Sequence, residues 1–163
     1  MISVYKAPES WKYVMGFKHI FLAGSIEMGT AENWQDRLTN RLKNEYDKKN
    51  IVILNPRRDD WDSSWEQDKN NPKFFEQVTW ELDSLEGVDI IPMYFDENTK
   101  SPITLLELGL FADRYSSATD QKIIVYCPKG FWRKGNVDIV CSRYGIQVFE
   151  NEETWFNAIV SKL

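Results

Sequence analysis

Short apolar runs alternate with longer segments of helical periodicity along the chain. The runs are rich in Ile, Val and Phe, as buried parallel strands are, and they cover residues 19–23, 51–54, 88–95, 122–126 and 146–149. The periodic segments between them predict helices over about 31–48, 74–85, 104–115 and 137–144, with a last helix over 152–162. Each predicted strand is therefore followed by a predicted helix.

This order of elements predicts a single α/β domain over residues 1–163. We expect a flavodoxin-like five-stranded parallel sheet with helices on both faces, because alternating strands and helices produce that architecture. In such sheets ligands bind beyond the carboxyl ends of the strands. Functional residues should therefore follow positions 23, 54, 95, 126 and 149.

Two segments do not fit the alternation. Residues 1–18 precede the first predicted strand and are expected either to add an edge strand or to lie across the sheet. Residues 55–73 form a long polar loop, and loops of that length inside a domain are usually functional or mobile. Trp61 and Trp65 in this loop either anchor it by packing or offer a surface on which a base could stack. We interpret the loop as a candidate lid.

Charge and composition exclude several classes of function. The net charge is −5 and the basic residues form no long run, which argues against binding a nucleic-acid polymer. There is no pattern of a secretory signal and no apolar run of membrane-spanning length, so we expect a cytoplasmic protein without a membrane partner. With 7 Trp, 7 Tyr and 9 Phe, the aromatic content is high for the length and suggests buried interfaces.

Histidine and cysteine usage narrows the chemistry further. His19 is the only histidine and precedes an apolar run, so a histidine-dependent triad or a multi-histidine metal site cannot be built from one chain. Cys127 and Cys141 match no zinc spacing and are interpreted as reduced core thiols. We expect neither a metal nor another cofactor.

Glu107 is an acid among apolar neighbours. It lies in the stretch Thr104–Ala112, whose other members are apolar, small or, at its start, a threonine. Ser101 can cap a helix there, and Pro102 suits the first helical position. Burying an ionised carboxylate without a partner costs several kcal/mol. Glu107 is therefore either a surface residue of a wide amphipathic helix or a carboxylate with a function.

Asp89 opens an apolar strand and offers a second unusual acid. If Asp89 and Glu107 lay opposite each other across a pocket, they would form a pair of carboxylates. Such a pair can divide the work, one as an ionised nucleophile and the other as a proton donor. That division is the usual way to break a glycosidic bond with retention. It also suits a chain that offers no catalytic histidine.

The turn after the first predicted strand contains Gly24, Ser25 and Gly29. The glycines allow the backbone to approach a ligand, and the following amides can donate to hydroxyls or phosphate. The turn matches neither a dinucleotide fingerprint nor a P-loop, so nicotinamide dinucleotides and nucleoside triphosphates are poorly supported. A ligand loop and a simple turn into a helix both remain open.

At these residues the chain resembles the nucleoside 2-deoxyribosyltransferase family. The similarity extends over most of the chain and is fairly specific in its combination of motifs. The matching stretches are Phe21–Ile26, Asn33–Gln35, Asn55–Trp61, Gln77–Glu81, Val88–Ile90 and Ser101–Gly109.

The resemblance implies a flavodoxin-like, homo-oligomeric enzyme acting on 2′-deoxynucleosides and free nucleobases. It implies a covalent deoxyribosyl intermediate on Glu107, with Asp89 handling proton transfer at the base. It also suggests that a neighbouring subunit helps to close each active site, with Asn136 as the candidate residue. The other residues expected to bind substrate are Phe21, Gly24, Ser25, Arg57, Asp60, Trp61 and Ser101.

Three positions depart from the pattern of the family. Many members have an aspartate where this chain has Ser101, and a serine resembles the related deoxynucleoside 5′-monophosphate N-hydrolases, where it helps to bind phosphate. Those hydrolases have an arginine where this chain has Glu27, which would repel a phosphate and favours a nucleoside, although Arg57 and Arg58 could reverse that preference. Phe21 stands where many transferases have a tyrosine that orients the nucleophile.

Taken together, these features predict a retaining transfer of the 2-deoxyribosyl group between nucleobases. Two alternatives remain. The first is an N-glycoside hydrolase of deoxynucleosides or their 5′-monophosphates, since exclusion of water decides between transfer and hydrolysis. The second is a non-catalytic sensor of a nucleotide or nucleobase.

Overall fold

In the computed structural model, which describes residues 1–27, 31–62, 64–116 and 121–163, every strand pairing is parallel. The strands are β1 (Ile2–Lys6), β2 (Lys18–Phe21), β3 (Ala23–Gly24), β4 (Ile51–Asn55), β5 (Ile91–Tyr94), β6 (Ile123–Tyr126) and β7 (Gln147–Phe149). The helices are α1 (Trp34–Glu45), α2 (Pro72–Gly87), α3 (Pro102–Ala112), α4 (Lys134–Arg143) and α5 (Glu152–Val160). The α/β class and all the predicted helices are confirmed, with ends shifted by a few residues.

The chain divides into two units. The first unit comprises Met1–Leu22 and Gln35–Asp89, and the second comprises Ala23–Trp34 and Ile90–Leu163. Among the ranges that the structure describes, no helix is long and apolar enough to cross a membrane.

The first unit is built on a three-stranded sheet of order β1-β4-β2. Its middle strand β4 is buried along its whole length, which fits the continuous apolar run at 51–54. The edge strand β1 pairs with β4 from Ile2 opposite Ile51 to Lys6 opposite Asn55. The expectation of an additional N-terminal edge strand is therefore confirmed. The chain after β1 lies on α2, where the Trp80 indole N–H donates to the Glu9 carbonyl at 2.8 Å.

The second unit is built on a four-stranded sheet of order β3-β5-β6-β7. Its core contains a stack of aromatic rings centred on Tyr94 of β5. The Tyr94 ring stacks on Trp34 with centroids 5.0 Å apart and on Tyr126 with centroids 4.6 Å apart. Trp155 of α5 meets the Tyr94 ring edge-on at 5.7 Å, and its indole N–H donates to the Ile124 carbonyl. Four aromatic residues thus pack together in this core.

The expectation of a single five-stranded sheet is wrong, because strands form two sheets of three and four strands. The run at 19–23 was taken as one strand, but its pairing partner changes at Leu22. Phe21 pairs with Leu54 of β4, whereas Ala23 pairs with Met93 of β5. An apolar run reports burial and carries no information about which strand lies alongside, so this change of partner has no local signal.

The run at 88–95 also begins later than expected, with β5 starting at Ile91. The Asp89 amide donates instead to the His19 carbonyl of β2 at 2.9 Å, within the first unit. Asp89 therefore precedes the strand and is held by the β2 backbone.

Candidate active site

Helix α3 positions Glu107, which is buried. Only 8 % of Glu107 is exposed, and it shares the buried side of α3 with Leu108, Phe111 and Ala112. The interpretation of Glu107 as a surface residue is therefore wrong. Glutamate is rarely buried, so its place on a largely apolar helix face makes it a candidate for a functional group. Glu107 is the strongest candidate for a reacting group in the second unit.

Three buried hydroxyl groups meet at the start of α3. Thr99 Oγ1 lies 3.0 Å from Ser25 Oγ and 2.7 Å from Ser101 Oγ, and the two serine hydroxyls are in direct hydrogen-bond contact. Each of the three residues is at most 3 % exposed. Ser25 Oγ also accepts from the Asp96 amide at 3.0 Å. We call Ser25, Thr99 and Ser101 the hydroxyl cluster.

The hydroxyl cluster lies where ligands bind in parallel sheets. Ser25 directly follows β3 and Thr99 follows β5, so both come from the carboxyl ends of paired strands. Ser25 and Ser101 were both expected to bind substrate, and the fold brings them together. Thr99 was missed. Its local sequence shows turn residues at Asp96 and Asn98 and gives no other sign of a binding residue.

Ser101 does not cap α3 in the expected way. It stands at the N-cap position with φ 47° and ψ 51°, in the left-handed region, and its side chain makes no bond to the first helical amides. Its hydroxyl belongs to the hydroxyl cluster instead. A non-glycine residue in this conformation costs roughly 1–2 kcal/mol, so it persists where its surroundings hold it.

A carboxylate from the chain itself accepts hydrogen bonds from the two amides that precede α3. Glu27 Oε1 accepts from the Lys100 amide at 2.9 Å and from the Ser101 amide at 2.8 Å. Two consecutive amides that converge on one oxygen form an anion-binding concavity. Glu27 follows the β3 turn, and Gly29 of that turn lies outside the described residues.

Packing explains why residue 24 is a glycine. Gly24 has φ +148°, and a Cβ there would collide with the Tyr94 carbonyl and come within 2.9 Å of the Trp34 indole. The close approach of β3 to β5 therefore requires glycine. The Trp34 indole N–H then donates to the Ser25 carbonyl at 3.1 Å, which fixes the turn.

Asp89 is anchored within the first unit by two hydrogen bonds. Its Oδ2 accepts from the His19 amide at 2.8 Å, and its Oδ1 accepts from the Tyr13 hydroxyl at 3.3 Å. The negative charge of Asp89 is the main cause that raises the pKa of Tyr13. The His19 ring is fully buried and accepts from the Val14 amide at 3.1 Å, which fits a structural histidine.

Glu81 on α2 is a titratable group that the interpretation of the sequence missed. Burial raises the pKa of Glu81 to about 7, and the hydrogen bond from Gln77 opposes that shift only in part. A carboxyl that titrates near neutrality can both donate and accept a proton under physiological conditions, as a general acid or base must. The available signal was its spacing of four residues from Gln77, which places the two side chains together on a helix.

Gln77 holds Glu81 and has one unused acceptor. Gln77 Nε2 donates to Glu81 Oε1 at 2.8 Å and to the Pro56 carbonyl at 2.9 Å. Its own Oε1 is buried and finds no hydrogen-bond partner among the residues that the structure describes. Pro56 follows β4, so this pair of side chains lies at the carboxyl end of the middle strand of the first sheet.

The predicted loop 55–73 corresponds to the segment between β4 and α2, and its described residues surround the buried guanidinium of Arg58. Arg58 makes a two-bond contact with Asp60, at 2.9 and 3.0 Å, and an ion pair with Glu76 at 3.6 Å. The hydrogen bond to Asp60 is the main cause that raises the pKa of Arg58, and the same bond lowers the pKa of Asp60. Asp60, which was expected to bind substrate, is thus tied to Arg58.

The two tryptophans of this loop have different surroundings. Trp65 carries the Arg58 guanidinium 5.1 Å and the Lys73 ammonium 5.0 Å from its ring centroid, which fits a packing anchor. Trp61 lies 5.2 Å from Trp65 and is half-buried. The Arg57 amide donates to the Asn55 side chain at 3.0 Å. Arg57, Asp60 and Trp61, which were expected to bind substrate, all lie in this segment between β4 and α2.

The remaining predicted residues lie apart from these groups. Phe21 is 1 % exposed and its ring lies 6.2 Å from Trp80 in the core of the first unit. Asn136 is exposed on α4 and borders a groove of about 340 Å³ in the second unit. The groove is otherwise lined by Leu105, Leu108, Gly109, Trp132, Arg133, Val137 and Val140.

Neither cysteine is placed for catalysis. Cys127 and Cys141 are free and buried, and burial raises the pKa of each thiol to about 12. A thiol that keeps its proton at neutral pH is a poor nucleophile. In the part of the chain that the structure describes, no three His, Cys, Asp or Glu side chains come together in a way that could hold a metal ion.

Comparisons with known proteins agree with the family resemblance of the sequence. A family model described as "Nucleoside 2-deoxyribosyltransferase like" matches residues 18–131, which is more than half of the chain. A search among curated proteins found no match. A solved structure described as "conserved protein from Enterococcus faecalis V583" is similar with a TM-score of 0.62 and 12% identity, covering 90% of this chain and 99% of that one. At this identity the likeness concerns the fold alone.

Proposed function

Because the chain belongs to the nucleoside 2-deoxyribosyltransferase-like family, we propose that it transfers a 2-deoxyribosyl group between nucleobases. The observation that carries the proposal is Glu107, a carboxylate that is 8 % exposed inside an apolar helix face. The proposed substrates are 2′-deoxynucleosides and free nucleobases.

The reaction is a double displacement at the anomeric carbon, with Glu107 as the nucleophile. The ionised Glu107 carboxylate forms an ester bond to C1′ while the C1′–N bond to the base breaks, and the electron pair of that bond leaves with the base. An acid supplies the proton that the departing base takes up. A second base then attacks C1′, the ester bond breaks, and the proton of the incoming base returns to the protein. Two inversions give retention.

Two carboxyl groups compete for the role of proton carrier. Asp89 is the residue that the family resemblance indicated, and its two oxygens accept hydrogen bonds from the His19 amide and the Tyr13 hydroxyl. Glu81 has a pKa raised to about 7, so it holds a proton on the acidic side of neutrality and can release it. Both assignments are carried forward, and they predict different pH profiles in the variants.

The other predicted residues take binding roles in the proposal. The hydroxyl cluster offers donors and acceptors that fit the hydroxyl groups of a sugar, and it supports Ser25 and Ser101 as sugar contacts. Phe21 has no hydroxyl, so an equivalent of the orienting tyrosine would have to come from another residue such as a member of that cluster. Trp61 and Arg57 belong to the loop 55–73, which we propose to stack on the base and to exclude water as a lid.

Hydrolysis is the alternative outcome of the same chemistry. If water rather than a base attacks the glycosyl ester, the products are free deoxyribose and enzyme. Ser101 is the observation in favour, since a serine at this place resembles the monophosphate hydrolases. Exclusion of water by the loop 55–73 would decide between the two outcomes.

We further propose that the protein is a homo-oligomer with shared active sites. Helix α3 exposes Ile103, Leu106 and Leu110 at a spacing that forms one stripe, between 56 and 66 % exposed. Its flank beside α4 forms the groove bordered by Asn136, and an added Cβ at Gly109 would meet nothing within 4 Å. This exposed stripe and the groove beside it form one patch that a two-fold interface between identical chains could bury. Sedimentation of Leu106→Glu should then show a smaller species than the parent chain.

The decisive experiment traps the glycosyl-enzyme. The protein is mixed with 2′-deoxyinosine without an acceptor base and its intact mass is measured. We expect an added mass of one deoxyribosyl unit in the parent chain and in the control Asp113→Ala, which changes an exposed acid at the other end of α3. Glu107→Ala should show no added mass.

The same samples are then given adenine, and exchanged nucleoside is compared with free sugar. An excess of free sugar over exchanged nucleoside at a high adenine concentration would show that the protein is a hydrolase and not a transferase. Base exchange by Glu107→Ala at the parent rate would overturn the assignment of the nucleophile, and tight binding of a nucleoside without any turnover would indicate the sensor.

A further inference from the structure

The His19 ring contacts both ends of one exposed turn in the first unit. The turn runs from Val14 to Phe17, whose amide donates to the Val14 carbonyl at 3.1 Å, and it contains Gly16 at φ 84°. The Val14 amide donates to His19 Nε2 at 3.1 Å, and His19 Nδ1 lies 3.2 Å from the Phe17 carbonyl oxygen. One imidazole ring therefore joins the first residue of the turn to the last.

These two contacts determine the charge state of the ring. A backbone amide can only donate, so Nε2 must be unprotonated, and a carbonyl can only accept, so Nδ1 must carry the hydrogen. Both requirements are met by one tautomer of neutral imidazole. An imidazolium carries a hydrogen on each nitrogen, so its Nε2 hydrogen would point at the hydrogen of the Val14 amide. Protonation of His19 therefore makes the contact with Val14 repulsive.

Residues 11–17 lie over the His19 ring, which is fully buried. The exposed side chains of this segment include Tyr13, Val14 and Met15. Besides the two contacts of the turn, the Tyr13 ring stacks on the His19 ring with centroids 4.3 Å apart. Trp11 packs at the end of α2, where a Cβ on Gly87 would come within 2.8 Å of the indole. The His19 ring thus supplies three of the contacts that hold the segment.

Asp89 is the carboxylate next to the His19 ring. Its Oδ2 lies 3.5 Å from His19 Nδ1, and its Oδ1 accepts from the Tyr13 hydroxyl at 3.3 Å. A negative charge at this distance favours the imidazolium, whereas burial of the ring favours the neutral form. Strand β4 places the apolar Val52 opposite His19. Other charged residues on the segment, on β2 and near the end of α2 are exposed to water, namely Lys12, Lys18, Asp83 and Glu86.

We propose that His19 is a pH-dependent latch, which in its neutral form holds residues 11–17 on the first unit and on protonation releases them. Histidine changes its charge between about pH 5 and 8, so the latch responds to mild acid. Release withdraws the Tyr13 hydroxyl from Asp89 and exposes the ring, and the imidazolium then pairs with Asp89 Oδ2. The latch is a property of the fold and does not depend on the proposed transfer.

The first test uses the fact that His19 is the only histidine in the chain, so its ring signals are identified at once by NMR. They are followed between about pH 8 and 5, together with hydrogen exchange of the Val14 amide corrected for the intrinsic effect of pH. We expect protection of that amide to fall by about tenfold or more with the midpoint of the ring titration. The Ile53 amide in the buried strand β4 should stay protected. Unchanged protection of Val14 beside a charged ring, or a ring that stays neutral until the whole chain unfolds, overturns the proposal.

The second test moves the titration of the ring. Asp89→Asn removes the neighbouring negative charge and keeps an oxygen that can accept from the His19 amide. We expect the midpoint of the ring titration to fall by about one pH unit, because the imidazolium loses its partner, and the midpoint of segment release to fall with it. Tyr13→Phe is the matched comparison, since it removes the hydrogen bond to Asp89 but keeps the stacked ring and the carboxylate, and it should still release the segment in acid. A release midpoint that stays in place while the ring midpoint moves contradicts the latch.

The third test removes the titrating group. His19→Gln offers an acceptor and a donor but gains no proton in mild acid, so residues 11–17 should be equally protected at both ends of the pH range. Thermal unfolding shows whether this variant folds, and if it does not, the shift in Asp89→Asn decides. Release of the segment by acid in a folded His19→Gln variant would mean that another group is responsible and would overturn the proposal.

Discussion

Helices α2 and α3 begin with the same kind of residues but use them differently. Asn71 precedes Pro72 of α2 and has the usual extended N-cap conformation, and its Oδ1 accepts from the Lys73 and Phe74 amides at 3.1 and 3.4 Å. Ser101 precedes Pro102 of α3, adopts the left-handed conformation, and makes no such bond. One helix start is built for stability, and the other is diverted to the hydroxyl cluster and to the Glu27 carboxylate.

This difference indicates that the start of α3 lacks a stabilising contact that the start of α2 has. Giving up a side-chain cap costs about 1 kcal/mol, and such losses concentrate at functional sites. The helices also differ in their internal glutamates. Glu81 of α2 has a pKa raised to about 7, whereas the buried Glu107 of α3 is the nucleophile in the proposed reaction. Substituting the N-cap residue and the internal glutamate of each helix in turn tests whether the difference between the two helices is functional.

The largest effect is expected for Glu107→Gln. An amide cannot form the glycosyl ester, so base exchange should fall by on the order of 10³-fold or more. The fold should persist, because the substitution keeps the size and shape of the side chain. Exchange of deoxyinosine with adenine, followed by chromatography, measures the loss, and circular dichroism checks the fold. A loss of less than tenfold would make Glu107 a structural residue.

The next effect is expected for Glu81→Gln. If Glu81 carries the proton, exchange should fall by about 10²-fold, the usual contribution of general acid–base catalysis. In the parent chain kcat/KM should decline as pH rises through about 7, because Glu81 loses the proton that the leaving base needs. Glu81→Gln should lack this decline. Asp89→Asn is the matched comparison, and loss of the pH dependence in Asp89→Asn alone would return the role to Asp89.

Glu81 should also make stability depend on pH. Its pKa is raised from 4.5 to about 7 in the folded chain, so the folded state keeps a proton that the unfolded state has released between those values. The free energy of unfolding should therefore fall as pH rises from 4.5 to 7 and then level off, by about 3 kcal/mol at most. Urea unfolding of Glu81→Gln and of the parent chain at pH 4.5 and 8 measures this. A gap between them that does not widen with pH would contradict the raised pKa.

Local pattern was sufficient for much of the fold. The apolar run 51–54 identified β4, and the motif Ser101-Pro102 before an apolar segment identified the start of α3 with Glu107 inside it. These features depend on neighbours within a turn or a strand, which the sequence displays directly. The family resemblance added the proposed role of Glu107, which no local pattern carries.

The features that were missed all depend on residues far apart in the chain. The change of strand partner at Leu22 depends on β4 and β5, and the contact of Glu27 with Ser101 joins positions separated by 74 residues. The raised pKa of Glu81 results from burial, which its helical position alone does not reveal. Ser101 shows the limit most clearly, because its sequence context is that of an ordinary cap.

The smallest effect separates the two helix starts directly. Asn71→Ala should lower the free energy of unfolding by about 1 kcal/mol, the usual value of a lost cap, and leave base exchange unchanged. Ser101→Ala removes no cap, but it takes one hydroxyl from the cluster, so a similar loss of stability is expected from the lost hydrogen bonds. Its base exchange should also fall, by about tenfold, if the hydroxyl contacts the sugar. Urea unfolding and exchange rates measured on the same preparations test both statements. Equal activity in the two variants would mean that the diverted start of α3 serves only the fold, whereas a loss confined to Ser101→Ala would place the function of the molecule at that end of the helix.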